Sequence, residues 1–356
     1  MKSKVLKVVA VLLLVGFLMY LFYSPKLEFD VLENPNQSTT TKKEKTPHIK
    51  KNEGENPKLT RGVGTLMGKP IQHVMDRYGI ADRIYSYQKD YKCFVFKDND
   101  RYMLFLTIHN KVKSVYVTGE KSQNETGPIK INETASNLFN SYSINTEPEF
   151  TVKNQNYHYE LSDKDIKTQS LIQFGNIYAQ VFIDQQRNKV IGIRYLDKEA
   201  LADINPYAQN NSSSKEVDKE DAKDKPSDQN VNQRLTLYEL TNEIRKLNGR
   251  QPLKVNQTLE DVATVDLFNS GDVANTEFTE SNLNDLVNKT DLHYQSVSQN
   301  VGYNFNDVPS LVHSWINSDV HRSRMLSKKY QEMGGEVEQQ YYLLIFLEKG
   351  DEESVR

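Results

Sequence analysis

Cysteine is almost absent from this chain of 356 residues. Cys93 stands alone, so no intrachain disulfide can form and no cysteine-based zinc site can be assembled. Surplus positive charge is missing too: 48 Asp plus Glu offset 45 Lys plus Arg, and no basic patch concentrates in the regions that read as folded. That balance argues against nucleic acid as a partner, since such binders lean on a broad basic field. No Ser-His-Asp order and no Cys-His pair suggests nucleophilic catalysis. The middle of the chain holds no paired carboxylates, no Gly-rich phosphate loop and no metal-ligand spacing.

One long apolar run is present. Val5 to Tyr23 carries Lys7 as its only charge and approaches the roughly 20 residues a helix needs to cross a bilayer. Lys2, Lys4 and Lys7 lie at its start, and no basic cluster follows it. The positive-inside rule therefore places the N-terminus in the cytoplasm and the rest outside. Tyr20-Leu21-Phe22-Tyr23-Ser24-Pro25 offers no small-x-small cleavage site, which favours an uncleaved anchor over a signal peptide. Residues 1–24 thus read as cytoplasmic tip and transmembrane anchor, and an exported chain without disulfides fits a Gram-positive cell envelope.

Composition then cuts the exterior. Residues 25–61 read as a flexible tether, polar from Glu33 onward and without apolar periodicity. A second polar stretch, 206–232, reads as a linker, with Asn210-Asn211-Ser212-Ser213-Ser214 leading into mixed charges. This leaves a middle module at 62–205, a C-terminal module at 233–349 and a tail at 350–356.

The middle module repeats itself: a helical segment, an aromatic tract, then two alternating strands joined by a polar turn. In the first copy Ile71, Val74, Met75 and Tyr78 fall at helical spacing, and Tyr102–Ile108 and Val112–Val117 alternate as strands. In the second, Ala135, Leu138, Phe139 and Tyr142 match the helix, and Ile177–Ile183 and Val190–Tyr195 match the strands. Asn110-Lys111-Val112 and Asn188-Lys189-Val190 hold the same place in each copy. The implied architecture is α+β, with helices packed on an antiparallel sheet. Here His73 and His109 read as surface or half-buried residues and Cys93 as a buried thiol. Gly68-Lys69-Pro70, Tyr78-Gly79, the Tyr85–Phe96 aromatics and the strand pairs together resemble the bacterial CAP-associated N-terminal domain.

In the C-terminal module, Thr236-Leu237-Tyr238-Glu239 has capping-box spacing and opens an apolar stripe of Leu237, Leu240, Ile244 and Leu247. Further helices read at Leu259–Asn269 and after Pro309. Tyr341–Leu347 reads as a buried strand, paired with Met333–Val337. The expected fold is a layered α/β/α sandwich. Asn242–Gly249, Pro252-Leu253-Lys254 and above all Trp315–Leu326, in the pattern Trp-x-x-Ser-x-x-His-Arg-x-x-x-Leu, resemble the CAP superfamily of cysteine-rich secretory proteins.

That resemblance implies a cavity of two His and two acidic residues, which hold a divalent metal in some members. Aligned residue by residue, Glu280 stands where a His is expected and Gln299 where a Glu is expected; only His321 keeps its place. A Gln amide is a poor metal ligand and no general base at neutral pH. The candidate ligand-binding residues are Glu280, Gln299, Asn300, His321 and Arg322, with no catalytic residue, metal or cofactor assigned. His321 reads equally well as a helix cap or as part of a buried network with Arg322, and Trp315 reads as core. The leading expectation is a membrane-anchored, non-catalytic module that binds a peptide, glycan, peptidoglycan fragment, lipid or protein at the cell envelope. The alternatives are a hydrolase using Glu280 and His321, and an interaction protein docking a membrane partner through its middle module.

Overall fold

The computed structural model describes residues 28–37, 55–209, 229–269 and 278–350, apart from positions 89, 99 and 339, together with Leu14. The expected span Val5–Tyr23 lies, Leu14 apart, outside the described residues. Among the described residues no helix is long and apolar enough to cross a membrane.

A short strand, β1 (Val31–Glu33), precedes the middle module. Helix α1 (Gln72–Tyr78) leads into β2 (Arg83–Tyr87), β3 (Tyr91–Asp98), β4 (Arg101–Ile108) and β5 (Lys111–Thr118). Helix α2 (Ala135–Ser141), β6 (Glu149–Val152), β7 (Gln155–Glu160) and α3 (Asp163–Thr168) follow. The second half closes with β8 (Gln169–Phe174), β9 (Ile177–Asp184), β10 (Lys189–Leu196), α4 (Lys198–Ile204) and β11 (Ala208–Gln209).

The sequence repeat becomes a single seven-stranded sheet in the order β2-β3-β4-β5-β10-β9-β8. Its two halves meet where β5 and β10 pair antiparallel, Val117 opposite Ile193 and Val115 opposite Tyr195. The repeated Asn-Lys-Val triplets mark equivalent turns: Lys111 bridges Pro70 just before α1, and Lys189 bridges Thr134 just before α2. His109 and Asn110 both take positive φ, 48° and 61°, as a two-residue hairpin turn of this kind requires. Strands β11, β7 and β6 form a smaller sheet. Cys93 is buried and its thiol is pushed up to about 12 by that burial, while His73 and His109 are exposed.

The C-terminal module comprises α5 (Gln229–Leu247), β12 (Lys254–Val255), α6 (Gln257–Asn269), α7 (Glu280–Val287), β13 (Tyr294–Tyr303), α8 (Val308–Ile316), α9 (Asp319–Met325), β14 (Glu332–Glu338) and β15 (Tyr341–Lys349). Its sheet runs β1-β13-β15-β14-β12. Strand periodicity explains the layers. Tyr342, Leu344 and Phe346 of β15 pack with residues of α5 and α8, whereas Leu343, Ile345 and Leu347 pack with residues of α6 and α7. Both faces are covered, which makes the expected sandwich.

Three boundaries differ from the sequence reading. Residues 28–37 and 55–61 of the expected tether are described: Val31–Glu33 join the C-terminal sheet, Asn36 and Gln37 bond Asp165, Asn205 and Pro206, and Asn56 bonds Ser143 and Gln173 of the middle module. Of the expected linker, Tyr207 is buried and Ala208–Gln209 pair with β7. The capping box at Thr236 does not start a helix, because α5 is already running from Gln229. Thr236 Oγ donates instead to the Asn232 carbonyl at 2.9 Å, the usual outlet for a mid-helix hydroxyl. Glu239 turns outward to accept from Arg83, Lys97 and Tyr102 of the middle module.

These contacts belong to a broad seam, and the two modules share one hydrophobic core. Arg194 of β10, 2% exposed, meets Asp307 at the start of α8: Nη2 donates to Oδ1 at 2.8 Å, and Nη1 lies 2.8 Å from Oδ2, off the hydrogen-bond axis. His313 of α8 stacks on Phe182 with ring centroids 4.1 Å apart and shares a 2.8 Å hydrogen bond with Tyr116. The approach needs Gly192, where any Cβ would stand 2.7 Å from His313 Nε2. Arg322 of α9 holds Asp184 of β9 through both carboxylate oxygens, at 2.8 and 2.9 Å.

Candidate functional site

The residues marked by the family alignment do not converge. Gln299 and Asn300 are neighbours on β13, and a strand sends neighbouring side chains to opposite faces. Gln299 is fully buried on the side of α6 and α7, near Asp266 of α6 and Asn282 of α7. Asn300 faces α9, where its Nδ2 donates to the His321 carbonyl at 3.0 Å. Glu280 is exposed at the first position of α7, behind the Thr279 cap.

Arg322 also leaves the expected cavity. Its guanidinium pairs with Asp184 across the module seam and lines an open cleft of about 730 Å³ with Arg187, Arg250 and Asp319. The reason is geometric: consecutive residues on a helix point about 100° apart, so His321 and Arg322 serve different neighbours. Arg187 and Arg250 in that cleft already donate to the Leu247 and Leu326 carbonyls.

His321 does sit in a buried network, with partners other than Arg322. Its Nε2 lies 3.0 Å from the Asp30 carbonyl oxygen, and its Nδ1 lies 2.9 Å from Ser318 Oγ. A carbonyl can only accept, so Nε2 carries the proton and Nδ1 accepts from the Ser318 hydroxyl. Burial lowers the imidazole's pKa below 6.5, which keeps this neutral tautomer in place. Trp315, fully buried as expected, lies parallel to the ring with centroids 6.2 Å apart.

The partner Asp30 belongs to a segment that sequence reading assigned to the tether. Val31, Leu32 and Glu33 pair in parallel with Val301, Gly302 and Tyr303, adding β1 to what is otherwise the free edge of β13. Phe29 N donates to the Phe278 carbonyl at 2.6 Å, and the Phe29 ring, 3% exposed, packs with Leu259, Phe278 and Leu283 under the Arg324 guanidinium. The one local sign is a short alternation, Leu27, Phe29 and Val31 between charged neighbours, ahead of the polar run that begins at Glu33.

These donors do not fit the divalent metal that the family alignment implies. Both His321 nitrogens are engaged, Gln299 is neutral and faces away from His321, and Glu280 is on the surface. Among the described residues no three His, Cys, Asp or Glu side chains gather in a metal-ligating group. The arrangement can donate a hydrogen bond to a main-chain carbonyl and shelter an aromatic side chain; it holds no exposed base beside a nucleophile.

Residues 67–207 match the CAP-associated N-terminal family, and residues 238–345 match the cysteine-rich secretory protein family. A crystal structure of a cysteine-rich secretory protein from Staphylococcus aureus is 48% identical and matches with a TM-score of 0.81, over 91% of this chain and 100% of that one. The chain belongs to the cysteine-rich secretory protein family. The CAP fold recurs in an extracellular protein containing an SCP domain from Bacillus anthracis, with TM-score 0.71 and 23% identity over 85% of this chain and 100% of that one. The uncharacterized membrane protein YlbC of Bacillus subtilis is 25% identical over 294 residues, 82% of this chain and 84% of that protein.

The CAP domain's buried ionisable groups set a pH dependence. His313 and His321 are both held below 6.5, chiefly by burial, so their contribution is complete above pH 6.5 and is lost as pH falls through their folded values. Asp266 works the other way. Burial raises it from 3.8 to about 6 against the pull of the Gln299 and Asn282 amides, so its contribution is present at low pH and lost as pH rises through about 6. Burial raises Glu243 in the same sense. Both histidines have their ordinary value, 6.5, between about pH 5.5 and about pH 7.5, and the carboxyls have theirs below that window. The melting midpoint is therefore expected to be lower at about pH 5.5 than at about pH 7.5. An unchanged midpoint in scanning calorimetry contradicts these assignments.

Proposed function

We propose that this CAP protein is a non-catalytic binding module held at the outer face of a bacterial membrane, where its two fused modules present one rigid recognition surface. The observation that carries the reading is the His321 contact: the one residue kept at its family position is a neutral donor to a peptide carbonyl. Such a group recognises main chain and has no lone pair left for a metal. The apolar run at Val5–Tyr23 supports membrane attachment. The relative named as a membrane protein and the neighbour named as extracellular agree with that placement.

The test uses the purified full chain in detergent, mixed with intact cell envelopes. Co-sedimentation should be saturable, and a broad fluorogenic peptide mixture should show no turnover above that of His321→Ala. Turnover that His321→Ala abolishes, or an absence of saturable retention, overturns the reading.

A further inference from the structure

The contacts around β1 are those of a ligand in a groove. Main-chain pairing to the edge of β13, one side chain sunk in an apolar pocket and an otherwise solvent-facing strand are the marks of strand addition. Val31 is 37% exposed and Asp30 and Glu33 are exposed, so Phe29 is the main apolar anchor and Leu32 a lesser one. Over the Phe29 ring, Arg324 Nη1 is buried without a hydrogen bond, a polar atom that β1 leaves unused.

We propose that the edge of β13, the Phe29 pocket and His321 form a binding site for an extended peptide bearing an aromatic side chain, and that residues Glu28–Asn34 are its resident occupant. This rests on the binding-module reading and names the ligand class and its competitor. The pairing is short, and main-chain hydrogen bonds do not discriminate sequence, so occupancy depends on the segment being covalently joined to the domain it fills. Joining raises its effective concentration without adding a contact. A peptide in trans that places an aromatic in the Phe29 pocket and a carbonyl at His321 Nε2 makes the same bonds and takes the groove when the resident strand leaves.

The occupant also sets geometry. Only residues 24–27 lie between Glu28 and the expected span ending at Tyr23, and a chain extends at most about 3.5 Å per residue. A docked β1 therefore keeps this sheet edge close to the membrane, and its release frees the connection as far as Asn36 and Gln37, which bond Asp165, Pro206 and Asn205.

A protease site placed between Ser38 and Gly54 of the full chain, in detergent, allows the resident segment to exchange after cutting. The probe is a fluorescent peptide of residues Lys26–Gln37, read by anisotropy. It should bind the cut chain at least about tenfold more tightly than the uncut chain. Phe29→Ala in the probe should weaken binding at least about tenfold, because the buried aromatic is the principal apolar contact. The uncut Phe29→Ala chain, whose backbone is intact, should accept the wild-type probe better than the uncut parent does. Equal binding to cut and uncut chains, or a Phe29→Ala probe as good as the parent, overturns the proposal. If cutting unfolds the chain, the uncut Phe29→Ala chain decides: no gain in probe binding overturns it. Failure here leaves envelope retention and turnover, which score the binding-module reading, unaffected.

Discussion

Asp307→Ala is expected to lower the unfolding free energy by about 4 kcal/mol, because removing one partner of a buried ion pair strands the other charge. Arg194 is 2% exposed and has no other carboxylate bonded to it among the described contacts. Asp307 also caps α8, accepting from Ser310 N at 2.7 Å, so the alanine loses a cap worth about 1 kcal/mol as well. The seam makes the consequence visible. The two modules share one core, so the parent should unfold in one step, whereas the variant should separate into two. Trp315, the single tryptophan, reports on the C-terminal module, and far-ultraviolet circular dichroism reports on the whole chain. In urea, the two signals should coincide for the parent and diverge for Asp307→Ala. Replacing both partners with apolar residues, Arg194→Met with Asp307→Leu, should recover much of the loss, since it removes the stranded charge. A loss below about 1 kcal/mol for the single variant would mean that the pair is solvated.

The second large effect concerns the residue that departs from its family. Gln299→Glu restores the acidic side chain at a position that is fully buried and adjacent to Asp266, itself held up at about 6. A carboxyl shifted upward by about 3 units costs about 4 kcal/mol at neutral pH. The sign follows: with its folded pKa raised, the new group does no harm below its unfolded value and costs more as pH rises through the folded one. The gap between variant and parent, measured by urea unfolding, should therefore be wide at about pH 7.5 and narrow toward about pH 4.5. Zinc should not close it, because His321 has no free nitrogen to complete a site. Restored stability on adding zinc would show that the metal cavity is latent and that the reading of His321 is mistaken.

Much of the fold was written in local pattern. The doubled helix and strand pair of the middle module, the alternating Tyr341–Leu347 strand and the buried Trp315 follow from spacing that any segment carries by itself. The site was less legible. Its decisive contacts join residues distant in sequence, Asp30 to His321 and Arg194 to Asp307, and no periodicity connects them. The β1 segment reads as tether because its alternation, Leu27, Phe29 and Val31, is short and runs straight into the polar stretch from Glu33, and main-chain bonds leave no mark on composition. Arg322 adjoins His321 in the motif, yet helical geometry sends it to Asp184. His313 sits in the seam without any motif to mark it, and the apolar Leu311, Val312, Trp315 and Ile316 around it are the sign of a buried helix.

The central claim is that His321 is a neutral main-chain donor and not a metal ligand or general base. Nitrogen NMR of the labelled imidazoles, followed against pH with and without zinc, tests it directly. The account predicts a protonated Nε2 and an unprotonated Nδ1 at neutral pH, titration below 6.5, and no change on adding zinc. Titration above 6.5, or a zinc-dependent shift of either His321 nitrogen that Gln299→Glu enhances, would contradict it.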